Sequence, residues 1–140
     1  MISESDSGLL LSKHMLDLYG LTYFKPSEFN HYDLMNPVLL RLLDLARATL
    51  GKPIYITSSF RTAAENIACG GSKFSTHLTG DAVDIRCNDS EYRFELLKAL
   101  LDVGFTRIGI YPYHIHVDVG YFHQDVSSPV IWYGTYNSKP

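Results

Sequence analysis

The sequence predicts an α+β fold in which an antiparallel sheet carries helices packed on one side. Two observations favour this class. Helical spacing of apolar residues dominates the first part of the chain, and short segments rich in β-branched and aromatic residues dominate the later part. The 140 residues suit one domain, 1–140, because no repeat, low-complexity tract or linker divides them.

The first two helices are predicted from apolar periodicity and from residues that begin or end helices. Residues 7–19 place leucine and methionine side chains at helical spacing, and this pattern stops at Gly20. The clearest helix follows, with Asn36 as its cap and Pro37 at its first position. It runs through an apolar stretch to Gly51, which favours a helix end.

Residues 24–30 indicate a turn with short helical content between these two helices. A third helix is predicted over about 90–103, with its cap among residues 88–90 and its end at Gly104. Strands are predicted where β-branched and aromatic residues cluster between turn residues. They cover 53–59, 82–86, 107–111, 114–119 and 130–133, with a turn at 112–113.

Charge and composition argue against several classes of function. Twelve basic and fifteen acidic residues give a net charge of −3, which disfavours a dedicated binder of nucleic acid or anionic membranes. The N-terminal segment lacks a basic region and holds only three consecutive leucines, so we expect neither a secretory signal nor a membrane span. We therefore expect synthesis in the cytoplasm and a monomer without nucleic-acid or membrane partners.

The two cysteines do not indicate a disulfide scaffold. Cys69 and Cys87 are too few for one and do not form a C-x-x-C pair. Each is a candidate buried thiol, and a bridge between them is the less favoured alternative. We expect neither to bind a metal, because better nitrogen and oxygen ligands lie between and beyond them.

The segment HIHVDV at 114–119 has two faces of opposite chemistry. Side chains alternate across a strand, so His114, His116 and Asp118 share one face while three apolar residues occupy the other. The apolar face is expected to join the core. A single strand histidine is usually just a hydrogen-bonded polar residue, whereas three metal-competent groups in register favour a site.

A second segment, 75–84, holds His77 and Asp84 seven residues apart. On a helix they would lie about 10.5 Å apart along the axis, which is too far to share a metal. Gly80 and the strand-like residues after it indicate a loop and then a strand, which lets His77 fold back over Asp84. Asp84 lies between two apolar residues, where an unpaired carboxylate is costly and a metal is a suitable partner. The alternative is an ordinary loop histidine and a solvated strand carboxylate.

Together the two segments can supply two imidazoles and one carboxylate. Three protein ligands are the number found at catalytic zinc sites, which leave the fourth tetrahedral position open to water. Structural zinc sites usually have four protein ligands, often including cysteine. The H-E-x-x-H motif of helix-borne zinc sites does not occur in the sequence.

The pattern S-x-H-x-x-G-x-A-x-D at 75–84, followed by H-x-H-x-D at 114–118, resembles the zinc D-Ala-D-Ala carboxypeptidase family. That family belongs to a wider group that includes lysostaphin-type peptidases and the hedgehog signalling domain. The segment SSFRT at 58–62 also resembles the family's strand end that carries an arginine. The resemblance spans residues 24–120.

The resemblance implies that His77, Asp84 and His116 bind Zn²⁺. It places Arg61 near the scissile bond, where a guanidinium stabilises charge on the carbonyl oxygen or anchors a substrate carboxylate. It makes His114 the candidate acid/base that passes a proton to the leaving amine. A structural ion pair is the alternative role for Arg61.

Two further residues have both a functional and a structural interpretation. Asp118 is a candidate acceptor that fixes the tautomer of an imidazole ligand, or else a surface carboxylate. Ser75 is a candidate substrate contact, or else a hydroxyl that caps a turn. One position departs from the family pattern. Several members carry an acidic general base three residues before the final zinc histidine, and here that residue is Tyr113, so the identity of the base stays open.

The substrate that the resemblance implies is the peptide stem of bacterial peptidoglycan, cut at a bond involving a D-amino acid. Because that substrate lies outside the cytoplasm, the missing signal favours a phage-type lytic enzyme, an endolysin, over a secreted carboxypeptidase. Two alternatives belong to other classes. One is a non-catalytic zinc-binding module of the same fold, as in hedgehog. The other is an iron oxygenase that would use His116, Asp118 and His123.

Overall fold

A computed structural model describes residues 20–135, so the helix predicted at 7–19 lies outside the described residues. Within this range the chain forms three α-helices, five strands and four short 3-10 helices. The α-helices are α1 Pro37–Leu50, α2 Ala63–Ala68 and α3 Ser90–Asp102. The strands are β1 Ile56–Ser58, β2 Ala82–Arg86, β3 Arg107–Ile110, β4 His114–Asp118 and β5 Val130–Tyr133. The 3-10 helices are Pro26–Glu28, Tyr32–Leu34, Thr76–Thr79 and Gly120–Phe122.

The two long helices are capped by residues that the sequence predicts. Asn36 accepts a hydrogen bond from the backbone N–H of Val38 at 2.9 Å, and α1 ends at Gly51 in the left-handed conformation with φ 70°. Asp89 accepts from the backbone N–H of Tyr92 at 2.8 Å and so caps α3. These caps satisfy backbone groups that have no partner inside the helix.

The strands form one sheet in the order β1-β2-β4-β3-β5. The predicted α+β class is confirmed, and three of the four strand pairs are antiparallel, as expected. β5 instead runs parallel to β3, which was not predicted. The connection after β4 passes across β3 before β5 begins, and no local pattern in the sequence specifies that crossing.

β1 is shorter than the strand predicted over 53–59. Ile56 pairs with Ile85, whereas Ser58 pairs with Asp84, so two steps along β1 correspond to one step along β2. This bulge disrupts the ladder and bends the strand. It also sets Ser58 directly opposite Asp84.

α2 is not among the predicted helices, although the sequence carries a start signal for it. The Thr62 hydroxyl accepts from the backbone N–H of Glu65 at 3.1 Å, and the Glu65 carboxylate accepts from the backbone N–H of Thr62 at 2.9 Å. This reciprocal pair is a capping box, and its T-x-x-E spacing is visible in the sequence.

The sheet has one apolar face and one polar face. Ile115 and Val117 of β4 join the buried core, as the alternation predicts, and α1 and α3 pack against each other on that side. The core residues of these two helices are Leu39, Leu40, Leu43, Ala46, Leu96 and Leu100. The opposite face of β4 carries the polar residues and is free to form a site.

The two cysteines are free thiols, with Cys87 buried and Cys69 exposed. The sequence left both as candidates for burial, and only Cys87 is buried. No helix within residues 20–135 is long and apolar enough to cross a membrane.

Gly80 turns the chain from the Thr76–Thr79 helix into β2, and its surroundings leave no space for a side chain. Its φ is +73°, and a Cβ atom there would lie 2.1 Å from the Leu34 carbonyl oxygen. Gly51 has a similar φ of +70°, but nothing lies within 4 Å of its Cβ position. An alanine at Gly51 would therefore meet only the cost of the left-handed backbone conformation. An alanine at Gly80 would meet that cost and steric crowding as well.

Replacing both glycines with alanine tests this difference. Gly51→Ala should lower the free energy of unfolding by about 1–2 kcal/mol, which is the cost of a left-handed conformation for an L-residue. Gly80→Ala should lower it by roughly a further 1–3 kcal/mol, because the methyl group must displace backbone. Urea denaturation of the zinc-free proteins measures both values. Equal losses for the two variants would contradict the crowding at Gly80.

Candidate metal centre

The pairing of β2 with β4 brings two of the expected ligands together. Asp84 lies directly opposite His116, so both side chains leave the same face of the sheet. The distance from His116 Nδ1 to Asp84 Oδ1 is 3.1 Å. His77 Nε2 lies 3.3 Å from the same carboxylate oxygen. One ligand atom from each of the three residues falls within 4.8 Å of the others, and all three residues are buried.

His77 reaches this position because the chain before β2 folds back, as the sequence predicts. The Ser75 hydroxyl accepts from the backbone N–H of His77 at 3.2 Å and caps the Thr76–Thr79 helix. The backbone N–H of Arg61 donates to the His77 carbonyl at 3.0 Å and ties this turn to the segment after β1. Gly80 then ends the turn. The short helix therefore presents an imidazole with 0% exposure to the sheet.

The far nitrogen of each imidazole is held by an oxygen that can only accept. His77 Nδ1 donates to the Ser59 carbonyl at 2.8 Å, and His116 Nε2 donates to Asp118 Oδ2 at 2.7 Å. In the neutral rings, the protons occupy these outer nitrogens, so the inner nitrogens present lone pairs. Two lone pairs and a carboxylate oxygen then converge without a hydrogen between them. This donor set fits a divalent cation such as zinc.

Burial and neighbouring charges shift the protonation of all three groups. Burial alone would raise the pKa of Asp84, but hydrogen bonds and charge from His116 and His77 hold it well below its ordinary value. Burial lowers the pKa of His77, which favours the neutral ring that a metal requires. Burial opposes charge on His116 as well, but hydrogen bonds to Asp118 and Asp84 raise the pKa of His116 to about 9 in the metal-free protein. A metal must therefore displace that proton at neutral pH.

Asp118 lies behind His116 and is 1% exposed. Besides His116, it accepts from Arg107 Nε at 2.6 Å and from the backbone N–H of Gly120 at 2.9 Å. These contacts fit the expected acceptor that fixes an imidazole tautomer, and its burial does not fit a surface carboxylate. Sequence reasoning missed Arg107. The alternation of β3, which puts Arg107 and Gly109 on the polar face, is a signal that could have indicated it.

His114 lies at the open side of this group. Its Nε2 atom is 4.0 Å from Asp84 Oδ1 and is buried without a hydrogen-bond partner among the described residues. Its side chain as a whole is 31% exposed. Burial lowers the pKa of His114, so the ring is neutral near pH 7. A neutral imidazole with a nitrogen left unpaired beside the ligands is positioned to exchange a proton with a bound molecule.

Arg61 contacts the second oxygen of Asp84 and is held by two further acceptors. Its Nη2 lies 3.4 Å from Asp84 Oδ2, its Nε 3.0 Å from Ser58 Oγ and its Nη1 3.3 Å from Asn66 Oδ1. A guanidinium has five N–H donors, so these contacts leave two of them for another partner. The ion pair that the sequence left as an alternative is therefore present, and donors remain for a substrate.

The remaining expected positions differ in their surroundings. Ser75 is 2% exposed and its hydroxyl caps the helix, so its structural role is observed, while contact with substrate stays a prediction. Tyr113, at the position where some relatives carry a base, is 55% exposed. Among the described residues, the three residues of the iron-oxygenase alternative do not form a metal-binding group. His123 Nδ1 donates to Asp81 Oδ2 at 2.6 Å, whereas Asp118 bonds to Arg107 behind His116.

The polar face of this mostly antiparallel sheet therefore carries a buried His-Asp-His group that could hold a metal ion. A comparison with protein families matches residues 22–119, more than half of the chain, to Peptidase M15. The chain belongs to this family. A search of curated proteins finds no match to the sequence. M15 peptidases are zinc-dependent, so the cofactor is Zn²⁺ and the substrate is a peptide.

Alanine substitutions test the ligand assignment. Replacing His77, Asp84 or His116 should sharply lower bound zinc, because two ligands cannot complete a three-ligand site. His123→Ala is the matched control, since it removes an imidazole that bonds a buried carboxylate outside this group. Elemental analysis of the purified, folded variants gives the zinc content. Full zinc in Asp84→Ala, or zinc loss in the control alone, would contradict the assignment.

Proposed function

We propose that the protein is a zinc peptidase that hydrolyses a peptide bond of the bacterial peptidoglycan stem, at a bond involving a D-amino acid. We further propose a phage-type lytic enzyme that is made in the host cytoplasm and acts on the cell wall. The observation that carries the peptidase proposal is the convergence of His77, Asp84 and His116 beside the unpaired Nε2 of His114. The choice of substrate is supported by the motifs at 75–84 and 114–118.

In this proposal His77, Asp84 and His116 hold the zinc, and Asp118 orients the His116 ring from behind. Zinc held by two imidazoles and one carboxylate lowers the pKa of a coordinated water to about 7 and polarises a peptide carbonyl. The protein's part is to fix the ligands and to keep both imidazoles in the correct tautomer. The carbonyl of Ser59 does this for His77.

His114 moves the proton that hydrolysis requires. A water oxygen bonds to the carbonyl carbon, the C–N bond breaks, and the water's two protons must leave the oxygen. The neutral ring of His114 can take one proton at Nε2 and give it to the leaving amine, while the other goes to solvent. Tyr113 precedes His114 and offers no carboxylate, so His114 is the candidate for both steps.

Arg61 is the candidate for binding the carbonyl oxygen or a substrate carboxylate. It lines a cavity of about 590 Å³ formed by β1, the segment after it and the chain around Phe29. This cavity is mainly polar, with hydroxyls from Ser27 and Ser58 on its wall. Arg61 is the one guanidinium among its lining residues, which also include Glu28 and Glu65, and it can pair with a substrate carboxylate. Ser75 stays a candidate for substrate contact.

The proposed assembly is a monomer of one domain, 1–140, with peptidoglycan as its partner. The net charge of −3 supports the absence of nucleic-acid and membrane partners. A second candidate function is a non-catalytic zinc-binding module of the same fold. It is favoured by one observation, the half-exposed Tyr113 where several relatives carry an acidic base.

Digestion of purified cell walls tests the function. The zinc-loaded protein should release shortened stem peptides, detected by mass spectrometry of muropeptides, and a chelator should abolish this until zinc is restored. His114→Ala should keep its zinc and lose about 10²–10⁴ in kcat, because a positioned acid/base contributes that much. His123→Ala should digest walls normally.

The outcomes distinguish the candidates. Unchanged muropeptides with fully zinc-loaded protein would support the non-catalytic module. Loss of zinc from His114→Ala would make His114 a ligand and overturn its proposed role.

The substitution Arg61→Lys tests whether Arg61 acts through the geometry of its N–H donors or only through its positive charge. A lysine keeps a cation near Asp84 but not the paired donors, so kcat should fall by about 10²–10³ at saturating zinc. Zinc content and melting temperature should stay near those of the unsubstituted protein. Wall digestion and melting are measured on the same preparations. If folded, zinc-loaded Arg61→Ala hydrolyses cell walls at a near-normal rate, Arg61 has no catalytic role. Its ion pair with Asp84 would then be its only function.

A further inference from the structure

We propose that Tyr111 is a positioning residue for His114. The inference rests on the proposed role of His114 in catalysis. It concerns how the ring is oriented.

Tyr111 and His114 form a parallel stack across the turn between β3 and β4. Their ring centroids are 4.4 Å apart and their planes differ by 9°. The backbone N–H of Tyr111 donates to the His114 carbonyl at 3.0 Å, which closes the turn under the stack. Tyr111 is 2% exposed, so its ring is a fixed surface. The imidazole plane is therefore set by a buried neighbour.

The stack is important because no hydrogen bond orients the reactive nitrogen of His114. Its Nε2 atom has no hydrogen-bond partner among residues 20–135, although it is buried beside Asp84. The ligands His77 and His116 differ in this respect, since an acceptor fixes the outer nitrogen of each ring. Packing against Tyr111 thus supplies for His114 the orientation that hydrogen bonds supply for the ligands.

Trp132 of β5 contacts the hydroxyl end of this tyrosine. Its indole N–H donates to the Tyr111 hydroxyl at 3.0 Å, and its ring centroid lies 5.4 Å from that of His116. A Cβ atom at Gly109 would come within 2.6 Å of this indole. One at Gly134 would come within 2.1 Å of the Tyr111 ring. The absence of a side chain at Gly109 and Gly134 therefore leaves space for the rings of Trp132 and Tyr111 beside the metal centre.

Loss of the stack should affect the rate more than binding. A misplacement of about 1 Å at a catalytic group costs about 10²-fold in rate. A leucine at position 111 would let the imidazole turn about its side-chain torsions, so Tyr111→Leu should lose about 10- to 100-fold in kcat. KM and zinc content should stay unchanged. Tyr111→Phe keeps the ring and should stay within about threefold of the original kcat.

The experiment uses zinc-loaded full chain on purified muropeptides. Tyr92→Leu is the matched control. Tyr92 is a half-buried tyrosine of α3, away from the centre, and its hydroxyl donates to the Pro53 carbonyl at 2.7 Å. It should lower stability and leave kcat unchanged. If Tyr111→Leu does not fold, Tyr111→Met replaces it in the experiment, because the flexible methionine side chain can fill the space of the ring.

A double-mutant cycle tests whether Tyr111 acts through His114. In a His114→Ala background, Tyr111→Leu should cost nothing further in kcat. An equal loss in both backgrounds, or an unchanged kcat in Tyr111→Leu alone, would overturn the inference.

Proton NMR of the His114 ring separates this inference from the proposed function. The ring protons should show an upfield shift from the tyrosine that persists in Tyr111→Phe and disappears in Tyr111→Leu. If His114→Ala digests walls normally, the catalytic role fails while the NMR result still decides the positioning. Identical ring signals in all three proteins would refute the positioning itself.

Discussion

The centre depends on the register of β2 against β4. Because Asp84 pairs with His116, their side chains meet on one face of the sheet, and the same register turns Ile115 toward the core under α1 and α3. Side-chain direction alternates along each strand, so a shift of one residue would exchange the two faces. The packing of the helices and the geometry of the ligands are consequently specified by one set of strand hydrogen bonds.

Around that pairing, each polar group is held from its far side. The Ser59 carbonyl orients His77, and Asp118 orients His116. Asp118 is itself oriented by Arg107 and by a backbone N–H. Such a chain of contacts orients both rings in advance and keeps a proton on the outer nitrogen of each, so that the inner nitrogen is the one that can bind a cation.

Much of this centre could be predicted because its parts are local. The strand of His116 has one polar and one apolar face, which the sequence shows directly. Gly80 indicates the turn that folds His77 back over Asp84. Tyr111 and Trp132 could not be predicted as partners, because they meet only through the parallel pairing of β5 with β3. That pairing depends on where a long connection delivers the chain. The shortening of β1 is similar, since a bulge depends on the partner strand.

The charges at the centre have a consequence for what approaches it. The carboxylates of Asp84 and Asp118 are each paired with a guanidinium, from Arg61 and Arg107, so these four groups cancel. The two imidazole ligands are neutral when they bind a metal. A bound zinc ion would therefore add about two positive charges that these four groups do not offset. In a chain of net charge −3, the bound ion would make the centre a local positive region that attracts anionic groups to the place where they can react.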